Sequence, residues 1–187
     1  MASRARLLVL LAIAVPGVGL AACGAKEPTT KAETEAVYVD VGELRYQVQT
    51  SRQLNANDAA DRALLVGVPP EERELAPGET FYGVFMRVEN ETDRAHPAAT
   101  SFEIVDTQEN VYEPLPLERG NAYAYSLNPP PTAQPMGTLP SANSPAGEGT
   151  TGGLLLLYKL PSQALQFRPL ELFIKAPGAE AEIALDV

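Results

Sequence analysis

The residue types able to do chemistry are scarce in this chain of 187 residues. There is one His, one Cys and no Trp, against 24 Asp+Glu and 14 Lys+Arg, for a formal net charge of −10. His96 is the sole candidate imidazole base. It lies in an Asp93-Arg-Ala-His-Pro97 segment that reads as an exposed loop, with no second His to share a metal or build a triad. One Cys excludes an intrachain disulfide and a Cys-based zinc site. Carboxylates gather at Asp58/Asp61, Glu71/Glu72/Glu74 and Glu89/Glu91/Asp93. They are the residue type of glycosidase pairs and calcium loops. No D-x-D-x-D-G spacing occurs, and Arg62, Arg73, Arg87 and Arg94 are interleaved, which reads as a solvated charged surface. No catalytic residue, metal site or cofactor is assigned.

Two further motifs are weaker than their letters. Gly147, Gly149 and Gly152 match G-x-G-x-x-G. A dinucleotide site needs a strand before that turn and a helix after it, whereas here a Pro-rich stretch precedes and a Leu-rich strand follows. Asn90-Glu-Thr92 matches a glycosylation acceptor, a three-residue pattern that carries little weight by itself. The acidic balance argues against nucleic acid, whose recognition needs clustered cations.

Cys23 is the most informative reactive group. Arg4 and Arg6 precede a nine-residue apolar run over residues 7–15, and Pro16 and Gly17 break it. This is the anatomy of an export signal. The run is too short to cross roughly 30 Å of hydrocarbon, which takes about 20 residues. Leu20, Ala21, Ala22 and Cys23 resemble the bacterial lipobox, in which the Cys thiol is acylated and the chain is cut just before it. The expectation is a signal peptide over residues 1–22 and a lipid on Cys23 (diacylglycerol and palmitate-type chains). Two acyl chains give stable anchoring where one is marginal. Removing Arg4 and Arg6 leaves 12 Lys+Arg against 24 Asp+Glu, a charge of −12, so attachment must come from the lipid. The partner is then the membrane, with another envelope protein as a candidate, and the location is the extracytoplasmic face. Residues 23–36 are polar, without an apolar period, and read as a lipidated Cys and flexible tether.

The elements that must position any site begin at Val37. Residues 37–41 and 44–48 alternate with period 2, as half-buried strands do. Residues 62–68 read as a third short strand, although residues 59–65 could make two helical turns at most. In residues 81–90, Tyr82, Val84, Met86 and Val88 share one face, taken as the core face because the other ends in charge. Strands follow at 101–106, 111–112, 154–160, 170–175 and 181–187. Seven to nine short strands over residues 37–187 predict an all-β, immunoglobulin-like sandwich.

Residues 114–151 interrupt this pattern with eight prolines, beside Tyr123, Tyr125 and Leu127. A long Pro/Tyr-rich loop inside a small domain is unusual. The run Leu154-Leu155-Leu156-Leu157 does not alternate, so both its faces must be covered. The loop is expected to fold over the outer face. The rival is an open patch for a partner or a second copy. If a ligand is bound, Tyr123, Tyr125 and Leu127 are the candidate interaction surface.

Leu75-Ala-Pro-Gly-Glu79, the strand ending at Asn90, Phe102-Glu-Ile-Val-Asp106 leading to Tyr112, and the strand at 170–174 recur in an order that resembles the telokin-like, immunoglobulin-like extracytoplasmic domains of bacterial, especially actinobacterial, lipoproteins. The resemblance covers residues 37–187 and implies an Ig-like sandwich without an assigned activity. The family often places Gly in the hairpin after the strand Asp. Here Gln108, Glu109 and Asn110 stand there, with Asn110 expected to take the left-handed conformation. The function this supports is a non-catalytic binding or interaction module. The alternatives are a carboxylate-based extracytoplasmic hydrolase and an accessory component of envelope transport.

Overall fold

Alternating apolar residues, strung along short segments between turns, build two sheets that face each other. The structure, a computed structural model, describes residues 27–117 and 120–186. The signal segment and the lipobox residues Leu20, Ala21, Ala22 and Cys23 lie outside the described residues. The strands are β1 (Lys31–Ala32), β2 (Val39–Val41), β3 (Leu44–Leu54), β4 (Glu79–Glu89), β5 (His96–Pro97), β6 (Ser101–Val105), β7 (Val111–Tyr112), β8 (Thr132–Ala133), β9 (Thr138–Leu139), β10 (Leu154–Pro161), β11 (Leu170–Ala176) and β12 (Ala179–Leu185). Two short helices accompany them, α1 (Ala59–Leu64) and α2 (Pro145–Glu148).

One sheet runs β1-β12-β11-β6-β7 and the other β10-β4-β3-β2, with β9 added on β4; β5 and β8 pair separately. The chain is an all-β sandwich. Between the sheets lie Tyr82, Val84, Met86 and Val88 of β4, against Phe102, Ile104, Leu172, Ile174 and Ile183, all buried. The expected core face of β4 is therefore the observed one.

The opposite face of β4 is buried as well. Phe81 and Phe85 join Leu54, Leu64, Val68, Leu155 and Leu157 in a second apolar cluster. Leu115, Leu117 and Tyr123 pack on it from the Pro-rich loop. The loop also hydrogen-bonds the free edge of β10: Leu115 donates to the Leu157 carbonyl at 2.7 Å, and Tyr125 to that of Leu155 at 2.8 Å. Leu155 returns a bond to the Tyr123 carbonyl at 2.7 Å. The non-alternating leucines are thus covered by the chain's own loop and by α1, which satisfies an edge that would otherwise invite association. Gly83 allows the close packing here, since a Cβ would meet Leu155 Cδ1 at 2.9 Å and Leu54 Cδ1 at 3.2 Å.

Three local expectations change. Residues 62–68 are not a strand. Asp58 caps α1 by accepting the Ala60 amide at 2.8 Å, and Asp61 accepts Arg52 and the Asn55 amide, so capping favours the helix. The helix still delivers Leu64 to the outer cluster. Strand β3 runs on past Val48 through a bulge, where the pairing passes from Val48↔Met86 to Thr50↔Phe85. The extra residue, Gln49, swaps the faces, so Tyr46 and Val48 point inward before it and Leu54 points outward after it. In the 106–110 hairpin the left-handed residue is Glu109 (φ 64°) rather than Asn110. Asn110 instead ties its amide and side chain to Asp106.

Candidate functional site

Residues 29–36 form a strap, not a tether. Thr29 exchanges bonds with Asp40: its amide donates to Asp40 Oδ2 at 2.7 Å and its carbonyl accepts the Asp40 amide at 2.7 Å. Lys31 and Ala32 pair in parallel with Glu182 and Ile183 of β12, and the Ala36 amide donates to the Val48 carbonyl at 2.8 Å. The strap thereby joins both sheets, and the folded body starts well before Val37. Its polar composition carries no strand period because the pairing lasts only two residues.

The strap buries a carboxylate. Glu35 is 9% exposed. It accepts the Ser51 amide at 3.1 Å, the Asp186 amide at 3.1 Å and the Ser51 hydroxyl. With the Ser51 proton given to Glu35, the Tyr82 hydroxyl donates in turn to Ser51 Oγ. Burial pushes the Glu35 carboxyl up, only partly opposed by the hydrogen bonds from Ser51 and the Asp186 amide. Burial likewise pushes the Tyr82 phenol up to about 12. Ser51 is in contact with a carboxylate, yet its hydroxyl proton and oxygen are both engaged inside the sandwich. The cluster staples the strap to β3 and to the end of β12. A concavity of about 460 Å³ opens beside it, with Arg168 and Asp186 in its wall. No sequence signal marks Glu35 or Ser51, because the bulge at Gln49 decides which way Ser51 faces.

The other end of the sandwich is different in kind. There the β2–β3 turn, residues 96–100 and the β11–β12 turn enclose a hollow of about 380 Å³. Val41, Leu44, Tyr46, Ala99 and Pro177 give it a mainly apolar wall. Two phenols fix it: Tyr46 accepts the Ala99 amide at 2.7 Å, and Tyr125 donates to the Ala99 carbonyl at 2.8 Å. His96 is half-buried at its rim, with Nε2 2.9 Å from Thr92 Oγ1, in β5 rather than in an exposed loop. A smaller hollow of about 290 Å³ adjoins it and shares Gly42, Glu43 and Leu44, with Pro28 in its wall.

The candidate interaction surface does not form as expected. Tyr125 is 3% exposed, with its ring edge-on to Phe102 at 5.0 Å between centroids. Tyr123 and Leu127 are half-buried against the two apolar clusters. The loop's apolar residues face the sandwich because leaving them in water would cost the burial that covers β10. Asn90 is not an open acceptor either. It is 1% exposed and its Nδ2 donates to the carbonyls of Arg94, Ala133 and Gln134.

The acidic clusters dissolve into separate structural roles. Asp58 caps α1, Asp61 holds Arg52 at 2.6 Å, and Glu72 and Glu79 flank Lys159 at 3.2 and 3.3 Å. Glu89 and Glu91 both meet Arg45. Among the described residues no group of three His, Cys, Asp or Glu is placed to hold a metal. In the glycine-rich segment, α2 precedes the motif's last glycine and β10 follows it, the reverse of the dinucleotide arrangement. A Cβ on Gly147 would fall 2.1 Å from the Ser141 carbonyl oxygen, so that glycine serves packing.

No family model and no curated protein matches the chain. Solved structures do. An uncharacterized beta-sandwich protein from Clostridium difficile 630 aligns with a TM-score of 0.45 and 9% identity over 86% of this chain and 99% of its own. The yjhA protein from Bacillus subtilis aligns with a TM-score of 0.47 and 10% identity over 82% and 99%. A candidate lipoprotein, ycdA, from Bacillus subtilis aligns with a TM-score of 0.48 and 7% identity over 83% of this chain and 39% of its own.

Proposed function

We propose that this chain is a cell-envelope lipoprotein whose sandwich, of the immunoglobulin-like kind seen in telokin-like extracytoplasmic domains, is a non-catalytic binding or interaction module. In this reading residues 1–22 are removed, Cys23 carries the lipid, and the body stands on the extracytoplasmic face of the cytoplasmic membrane. The observation that carries it is the position of the chain's single Cys, directly after Leu20, Ala21 and Ala22 and a nine-residue apolar run behind Arg4 and Arg6. The thiol is the nucleophile that acylation requires. The mature charge of −12, from 12 Lys+Arg and 24 Asp+Glu, gives the body no attraction of its own to anionic headgroups, which leaves the lipid as the means of attachment.

The test is metabolic labelling with a fatty-acid analogue in a bacterial host, on the full chain and on Cys23→Ala. Labelling of the wild type, lost in Cys23→Ala together with membrane fractionation, is the expected result. Labelling that persists in Cys23→Ala, or a wild type that takes up none, overturns the reading.

A further inference from the structure

The two ends of the sandwich stand at very different distances from Pro28, where the described chain emerges from the body. The strap enters at the end carrying the β2–β3 turn: Thr29 pairs with Asp40, and Pro28 shares a hollow with Gly42, Glu43 and Arg45. The same end holds the start of β6 and the β11–β12 turn, since Ser101 pairs with Lys175. The 106–110 hairpin lies at the far end, where Glu109 and Asn110 share a hollow with Pro161 and Phe167.

From Cys23 to Pro28 the chain makes five Cα-to-Cα steps, at most about 18 Å even when fully extended. Strand β4 alone has 11 residues, which at ~3.4 Å each span about 37 Å from one end of the sandwich to the other. A body anchored at Cys23 therefore cannot stand with its far end on the bilayer.

We infer that the end carrying the β2–β3 turn, residues 96–100 and Pro177 is the surface apposed to the lipid bilayer, with its apolar hollow turned toward the headgroups. This rests on the anchoring proposed for Cys23. Pro177 is exposed at the rim of the hollow, while Val41, Leu44 and Tyr46 form its floor and are themselves only 1–3% exposed, so the lipid is met by the rim and not by the core beneath it. Glu43 on the wall of the hollow and Glu91 in the adjoining one are exposed acids, and Lys175 on the wall is already paired with Glu103 at 2.6 Å, a balance that suits zwitterionic rather than anionic lipid. The leash, not charge, imposes the approach.

The absence of Trp from the chain makes a clean measurement available. The contacts described above lie within residues 27–186, so the chain from Cys23 onward carries them all. That chain is coupled through its single thiol to a maleimide lipid in phosphatidylcholine vesicles, with and without a nitroxide on the headgroup. Single reporters are placed near the hollow, in Thr100→Trp and Glu43→Trp, and at the far hairpin, in Gln108→Trp. The expected result is loss of emission in the nitroxide vesicles for both near reporters and none for Gln108→Trp. Equal loss at all three positions, loss at Gln108→Trp alone, or no loss anywhere overturns the inference. Two near reporters keep the test decisive if one variant folds poorly. Because the lipid bond is made chemically, failure of fatty-acid labelling in cells and failure of this orientation are separate outcomes.

Discussion

The two faces of β4 are buried by different means. Its inner face, Tyr82 to Val88, meets a second sheet whose strands alternate as regularly as its own. Its outer face, with Phe81 and Phe85, is covered by a six-residue helix and a loop without period. Both faces exclude water equally well, with Ile104 on one side and Leu157 on the other each at 0% exposure. Burial needs contact, and contact does not need regular secondary structure. The contrast predicts that the cover is part of the cooperative fold rather than a flap.

The sharpest way to break that comparison is to truncate one residue on each face. Ile104→Ala and Leu157→Ala should each cost about 2–5 kcal/mol, the usual range for a fully buried aliphatic, in chemical denaturation. If the cover opens independently, Leu157→Ala will cost well under that while Ile104→Ala stays within it. A smaller effect is expected at Gly83, where β4 leaves room for Leu54 and Leu155. Gly83→Ala should destabilise by about 1 kcal/mol, a modest overpacking term partly offset by the lower entropy of Ala in a strand. A thermal midpoint equal to or above the wild type would show that the outer leucines have slack.

The same contrast separates two buried carboxylates, and here the expected effects are smaller and opposite in sign. Asp106 sits in a local hairpin. Burial raises its pKa, but bonds from the Asn110 side chain and amide, the Gln108 amide and the Tyr112 hydroxyl outweigh that and hold it below the ordinary value. Its contribution to stability is present above the unfolded pKa near 3.8 and is lost as pH falls through the lower folded value. Glu35 sits in the strap, and burial holds its pKa above the ordinary 4.5. Its contribution is fully present below 4.5 and is lost as pH rises through the raised folded value. Measured against pH, the stability deficit of Asp106→Asn should grow as pH rises from about 2 to 5. Glu35→Gln should gain on the wild type as pH rises from about 4 to 8. Curves that run parallel to the wild type in either variant remove the assigned role of that carboxylate.

What could be read from the chain follows the same division. The inner face of β4, the strands at 101–105 and 170–176, and the cover that residues 154–157 need from the Pro/Tyr-rich loop are all legible, since each follows from a local pattern of side chains. The strand read over residues 62–68 is not formed, and the two turns that residues 59–65 allow are the observed helix. Leu64 and Leu65 fit either period over so short a stretch; the Asp58 cap is local, but the Arg52–Asp61 pair ties the helix back to β3. The strap reads as a spacer in the sequence because Lys31 and Ala32 find their partners some 150 residues away on β12. Tyr125 reads as a contact residue in the sequence, since an aromatic in a Pro-rich loop shows its type but not its direction, and in the fold it is buried.

By itself, then, the sequence determined the sandwich class and the inner core, and it carries the lipobox-like segment on which the proposed anchor rests. Those are properties of neighbours along the chain. The tertiary structure alone decided that α1 shares the cover of β10 with that loop, that a bulge at Gln49 turns Ser51 toward Glu35, and that Pro28 lies at the end holding the apolar hollow. Each of these joins segments far apart in sequence, and no local preference of the residues involved fixes which distant partner they meet.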